Sequence, residues 1–295
     1  MLVQEIRCRS ILNRSGIPGV DYALNPYIGC AHDCRYCYAD FMKRFTRHKE
    51  KWGCFVDVKV NAAEVLQKQL EFSRPGLVSL GTVTDSYQPL EAKYEVTRRC
   101  LKELTKASFP VSIITKSPLI LRDLDLLKRL TEVYIGITIT TLKERIKMVF
   151  EPHSPPSEER FWAISRLSKE GIRTWLFFGP VLPWFSDQEE EIEELFSKAS
   201  QARVDHILVD TLQLYPKVWN KMRGLLSRFF PPILNLAPLR SLTSPEGLTD
   251  PMALRNPTLA RIAPLSPLKG AYPLQTSPTF LNFLEIPKCQ VVKDH

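Results

Sequence analysis

Three cysteines, Cys30, Cys34 and Cys37, stand in the order C-x3-C-x2-C directly after a β-rich run. Thiolates so close together on a short loop converge on one metal centre, and soft sulfur ligands select zinc, copper(I) or iron–sulfur clusters. A structural zinc wants four protein ligands closing a tetrahedron. His32, His48 and Cys54 are each available as a fourth ligand, so a Cys3His zinc site is one reading. A cubane cluster held by only three thiolates is the other. It leaves one iron open to a cofactor or substrate, which is a chemical reason for three cysteines rather than four.

Such a loop needs a scaffold. Short runs rich in β-branched, apolar and aromatic residues recur at Tyr22–Ile28, Leu77–Val83, Val111–Thr115, Val133–Ile139, Thr174–Phe178 and His206–Thr211; they read as strands. Amphipathic stretches at Asn61–Phe72, Tyr94–Lys106, Leu121–Leu130, Ser157–Glu170 and Asp187–Ala202 read as helices. Asn61 with Glu64 forms a capping-box pattern, Ser157 and Asp187 are plausible N-caps, and Gly171 suits a C′ position. Strand–helix alternation implies parallel strands joined by right-handed crossovers. Six units fall short of a closed eight-unit barrel, leaving an open partial (βα)6 barrel or a doubly wound sheet.

In parallel α/β barrels functional groups collect at the C-terminal ends of strands. Polar residues fall there repeatedly. Thr82, Thr84, Asp85 and Ser86 follow the second run, and Thr115, Lys116 and Ser117 the third. Thr138, Thr140 and Thr141 follow the fourth, Gly179-Pro180 the fifth, and Asp210, Thr211 and Gln213 the sixth. Lys116 interrupts an apolar strand end, where a buried ammonium needs a partner. Trp175, Phe177 and Phe178 read as barrel core.

The segment Cys30-Ala31-His32-Asp33-Cys34-Arg35-Tyr36-Cys37 resembles the C-x3-C-x-aromatic-C signature of the radical S-adenosylmethionine (SAM) superfamily. Gly29-Cys30 through Tyr38-Ala39, the Thr115-Lys116-Ser117 triplet, and Glu151-Pro152 with Ser157 and Arg160 resemble the spore-photolyase-like group within it. The resemblance spans about residues 20 to 215. It implies the partial (βα)6 barrel, with Cys30, Cys34 and Cys37 holding a 4Fe–4S cluster whose open iron binds SAM. It further implies reductive cleavage of SAM to a 5′-deoxyadenosyl radical that abstracts hydrogen from a substrate. Tyr36 would lie against the adenine, and Tyr36 and Tyr38 match two tyrosines that relay a hydrogen atom. Lys116 and Thr138 would hold the SAM carboxylate, and Thr82, Thr84 and Asp85 lie where the superfamily contacts the SAM amino group. Glu151 and Arg160 would bind ribose and carboxylate, or pair on the surface. The group's hydrogen-donating cysteine after the second strand has no match, since no cysteine stands between Cys54 and Cys100.

At 295 residues, 44% of them hydrophobic, the chain supports a large core. Seven cysteines, an odd number with three crowded together, suit reduced thiols used for metal rather than a disulfide framework. No stretch approaches a membrane span and no secretory leader opens the chain, so a soluble cytoplasmic protein is expected. A net charge of +8, densest at Lys43–Lys51, suggests an acidic partner such as nucleic acid, or else a solvated surface helix. The chemistry would also require a low-potential electron donor such as ferredoxin or flavodoxin. The competing reading is a zinc-stabilised nucleic-acid-binding module without catalysis; a family member that has lost activity is a third. The organisation expected is an N-terminal extension (1–20), a core (21–230) and an irregular, Pro-rich tail (231–295) that holds 11 of the 23 prolines.

Overall fold

The computed structural model describes residues 1–235 and the backbone of 274–277. Strands are β1 (Leu2–Ile6), β2 (Leu12–Arg14), β3 (Tyr22–Leu24), β4 (Tyr27–Ile28), β5 (Phe55–Lys59), β6 (Val78–Leu80), β7 (Val111–Thr115), β8 (Val133–Thr138), β9 (Arg173–Val181), β10 (His206–Thr211) and β11 (Leu274–Ser277). Helices are α1 (Ala62–Phe72), α2 (Glu91–Tyr94), α3 (Val96–Leu104), α4 (Leu124–Leu127), α5 (Glu144–Phe150), α6 (Ser157–Lys169), α7 (Glu189–Gln201) and α8 (Pro216–Phe229).

An eight-stranded sheet runs β11-β10-β9-β8-β7-β6-β3-β2. From β3 to β11 every pairing is parallel; only β2 is antiparallel. The six expected strands stand side by side in chain order, and the sheet's two edges do not pair with each other. This is an α/β protein with an open partial barrel. Strands β6 to β8 are buried almost throughout, as a parallel sheet covered on both faces demands. Side-chain alternation along β9 splits its aromatics. Leu176 and Phe178 join the large core beneath the helices, whereas Trp175 and Phe177 pack with Leu208 and Ile114 in a separate cluster. The expectation of barrel core for these three aromatics thus divides between two layers.

Several expectations need correction. Tyr22–Ile28 is not one strand: Pro26, which has no N–H to offer a ladder, separates β3 from β4. β4 leaves the barrel for a second sheet, ordered β1-β5-β4, so the cysteine loop departs from that sheet. Asn61 holds the N-cap position of α1, but its side chain makes no capping bond; its amide exchanges two hydrogen bonds with the main chain of Cys8, at 2.8 and 2.9 Å. Gln188, not Asp187, holds the N-cap position of α7. Ser157 lies inside α6 and donates to Thr141 O at 2.7 Å. Leu121–Leu130 is a 3-10 turn over Pro118–Asp123 followed by the short α4. Lys43–Lys51 is the end of a 3-10 helix (Tyr38–Phe45) and a loop, not a surface helix. Gly171 takes φ +77 after α6, as a C′ glycine should.

The segment 1–20 is drawn into both sheets, through β1 against β5 and β2 against β3. Of the tail, 231–235 form a 3-10 turn and β11 pairs parallel to β10; its remainder lies outside the described residues, as does Cys289. Helix α8 adds to the expected elements: Pro216 occupies the first turn, and Val218, Trp219, Met222, Leu225 and Leu226 form its buried stripe. Among the described residues no helix is long and apolar enough to cross a membrane.

Candidate active site

The loop carrying the three cysteines is held from several sides. Gly29, at φ +89, turns the chain so closely over β5 that a Cβ would lie 2.3 Å from Phe55 O. Gly29 O accepts from Thr84 Oγ1 at 2.6 Å, and Ala31 N donates to Gln88 Oε1 at 2.8 Å. Arg35 N donates to Phe150 O at 2.8 Å, and Cys37 N closes a turn onto Cys34 O at 3.1 Å.

All three cysteines line one cavity of about 920 Å3, counting its open mouth. The ends of β6, β7, β8, β9 and β10 supply the rest of the wall. Thr82, Thr84, Asp85, Thr115, Lys116 and Thr138 all face it, joined by Gly179-Pro180 and by Asp210, Thr211 and Gln213. The ring of polar groups expected at the strand ends is therefore one surface. Ile114, Phe177, Val83 and Leu212 make the intervening wall apolar.

The predicted residues play unequal parts. Asp85 has little acceptor capacity left: it takes Thr115 Oγ1 at 2.6 Å, Lys116 N and Tyr87 N at 2.9 Å each, and faces His32 Nδ1 at 3.3 Å. Burial works against its charge, but His32 and these donors bring its carboxyl down to about 2. Thr82 Oγ1 accepts from Asn25 at 2.9 Å, and Thr84 is bound to Gly29. Tyr38 lines the cavity, and its hydroxyl donates to Thr82 O. Tyr36 lines it too; its hydroxyl donates to the Glu151 carboxylate and lies 3.1 Å from Thr140 Oγ1.

Arg160 is not among the cavity's lining residues. It is fully buried behind the wall, with its guanidinium on Glu151, Thr138 O, Pro155 O and Ser154. The Glu151–Arg160 pair is neither on the surface nor open to a cofactor. It braces Tyr36 from behind.

Lys116 is the opposite case. Its ammonium lies 5.9 Å from the centre of the Tyr36 ring, and no carboxylate comes within ion-pair distance of it among the described residues. Asp210, at the end of β10, also interrupts an apolar strand. It is 3% exposed, its described partner is its neighbour Thr211 N at 2.9 Å, and burial pushes its carboxyl up to about 7. Tyr215 and His32 are further lining residues. His32 Nε2 is buried with no hydrogen-bond partner among the described residues.

Three soft thiols on the wall of one cavity are a donor set into which an iron–sulfur cluster fits. No disulfide engages the described cysteines, and burial raises the Cys34 and Cys37 thiols, Cys37 to about 11, so metal binding would release their protons.

Comparison with known proteins agrees with this geometry. The family model described as the radical SAM superfamily matches residues 24–197. An uncharacterised protein of Methanocaldococcus jannaschii is 36% identical over 190 residues, 64% of this chain and 71% of that one. A radical SAM Nα-GlyT isomerase of Pseudomonas phage M6 is 24% identical over 186 residues, 62% of this chain and 38% of that one. In fold, the chain is similar to a spore photoproduct lyase mutant solved with bound AdoMet and dinucleoside spore photoproduct. The TM-score is 0.60 at 14% identity, over 77% of this chain and 66% of that one.

Proposed function

The chain belongs to the radical SAM superfamily, and from that premise we propose that Cys30, Cys34 and Cys37 hold a 4Fe–4S cluster and that the cavity above them binds SAM. One observation carries the reading: the three thiols line the same cavity as the ammonium of Lys116, which has no carboxylate partner among the described residues. When bound and reduced, the cluster with SAM supplies a 5′-deoxyadenosyl radical that takes a hydrogen atom from the substrate. The chain's own work is binding, orientation and exclusion of water. Lys116 offers the SAM carboxylate a charged partner in an apolar wall, with Thr138 beside it. Thr82, Thr84 and Asp85 would receive the amino group through their main chain, because their side chains are committed within the protein. The Tyr36 ring, locked by Glu151, is a fixed surface for adenine. Tyr38, which lines the cavity with its hydroxyl on Thr82 O, is the group to which we assign the passing of a hydrogen atom.

The test is anaerobic reconstitution, followed by iron, sulfide and zinc analysis and a search for 5′-deoxyadenosine after adding dithionite and SAM. Four irons per chain, with deoxyadenosine lost in Cys34→Ala, supports the reading. One zinc, no sulfide and no cleavage would overturn it in favour of the zinc-stabilised binding module.

Nucleic acid is the substrate class we infer. The cavity-lining Tyr38 stacks on exposed Phe41 at 6.2 Å, and the Arg44 guanidinium lies 5.4 Å from the Phe41 ring and 4.6 Å from that of Phe45. This ladder leads outward from the cavity beside Lys43, Arg47 and Lys49, the pairing of stacking platform and cations that single strands use. Among the described residues no cysteine beyond the three lines the cavity, so a cysteine hydrogen donor forms no part of the proposal. Whether the net reaction is a lyase or an oxidoreductase reaction depends on how the substrate radical resolves. Free thiols and a reducible cluster fit a cytoplasmic setting with a ferredoxin or flavodoxin as reductant. Stimulation of deoxyadenosine formation by single-stranded oligonucleotides, lost in Phe41→Ala/Phe45→Ala, is the expected result; no stimulation by any oligonucleotide would remove nucleic acid as the substrate.

A further inference from the structure

The cysteine loop is a partition between two concavities. Cys30, His32, Cys34, Tyr36 and Cys37 line the cavity, whereas Asp33 and Arg35 line a groove of about 1390 Å3 on the other side. The two share no lining residue. Trp52 joins them: it lines the groove, is 3% exposed, and packs in one apolar cluster with Cys37. One ring therefore separates the groove from a cluster ligand.

The groove is basic and partly apolar. Arg35, Lys51, Lys221 and Arg228 line it against a single acid, Asp33. Arg35 is spent on Asp33 at 2.6 Å and Lys221 on Asp40 at 2.8 Å. Lys51 and Arg228 are exposed and have no acidic partner among the described residues. Met148 and Phe229, 60% and 51% exposed, stand beside them.

We propose that this groove is the docking face of an acidic, low-potential electron-transfer protein. The inference rests on the cluster reading above. Electron transfer weakens steeply with distance, so a donor gains most by docking where only the loop and Trp52 intervene. Unpaired cations around exposed apolar side chains are what a transient, charge-steered protein interface needs. A nucleic-acid substrate fits this face less well, because it must reach the cavity and the groove does not open into it. In the step itself one electron leaves the donor's reduced flavin or iron–sulfur centre, oxidising it, and is taken up by the oxidised cluster. No bond forms or breaks.

The experiment compares reconstituted wild type with Lys51→Glu/Arg228→Glu, using reduced flavodoxin and dithionite in parallel. Stopped-flow bleaching of the cluster's absorbance gives the rates at low and high salt. With flavodoxin the variant should be slower by about tenfold at low salt, with a flattened salt dependence; with dithionite the two proteins should be equal. A normal cluster whose flavodoxin rate ignores the substitutions overturns this inference alone. An equal fall with both reductants also overturns it, by placing the damage in the cluster. So does loss of single-stranded DNA binding with an unchanged flavodoxin rate. Absence of any reducible cluster in wild type overturns the cofactor reading and the docking face with it.

Discussion

Tyr36, in the cavity wall, donates its hydroxyl hydrogen bond to Glu151, and Glu151 is in turn ion-paired with the fully buried Arg160. The residue beside the third cysteine is thereby anchored to the start of α6, more than a hundred positions along the chain. Removing one partner of a buried pair leaves the other uncompensated. Arg160→Met should therefore lower stability by about 3 kcal/mol, read as a fall in thermal midpoint of the metal-free protein. The Glu151 carboxyl lies well below its ordinary range, because Arg160 and Lys116 outweigh its burial. Its contribution is thus present above the unfolded carboxylate pKa and lost as pH falls below that value. Wild type and Arg160→Met should converge in acid; a constant gap would argue against the ion pair.

Lys116 is the cavity's cation without a carboxylate partner among the described residues. Lys116→Met should weaken SAM binding by at least about tenfold, the scale of one charged hydrogen bond, while leaving iron content unchanged. Calorimetric titration of the reconstituted protein with SAM checks this. Unaltered affinity would mean that the carboxylate lies elsewhere.

Asp210 titrates high because it is buried. Its folded carboxyl, at about 7 against an ordinary 3.8, favours the folded state fully only below about pH 4, and that advantage is lost as pH rises through 7. Relative to wild type, Asp210→Asn should gain stability across that window and differ least in acid. Denaturant unfolding at several pH values would show it; parallel curves would mean that the carboxylate is solvated.

The cysteine spacing was readable because the ligands sit within eight residues of one another and local chain order alone brings them together. The barrel strands were readable for a similar reason: β7 and β10 occupy their expected spans, since strands covered on both faces are written as apolar runs. Lys116 stood out as a charge at the end of such a run, and Asp210 carried the same signal. Trp52 carried none, because its partner Cys37 meets it only when β4 and β5 pair.

The sequence by itself determined the close spacing of the three cysteines, the α/β class and the rim that would face a cofactor, since each follows from short-range spacing and strand periodicity. Tertiary structure decided how those groups are used. It sent Arg160 behind the wall, tied up Asp85, left Lys116 without a carboxylate among the described residues, and set the groove against the far side of the cysteine loop. Those outcomes depend on burial and on partners far apart in the chain. A charged residue reads the same in sequence whether it meets solvent, a buried counter-ion or an empty cavity, and only packing separates the three.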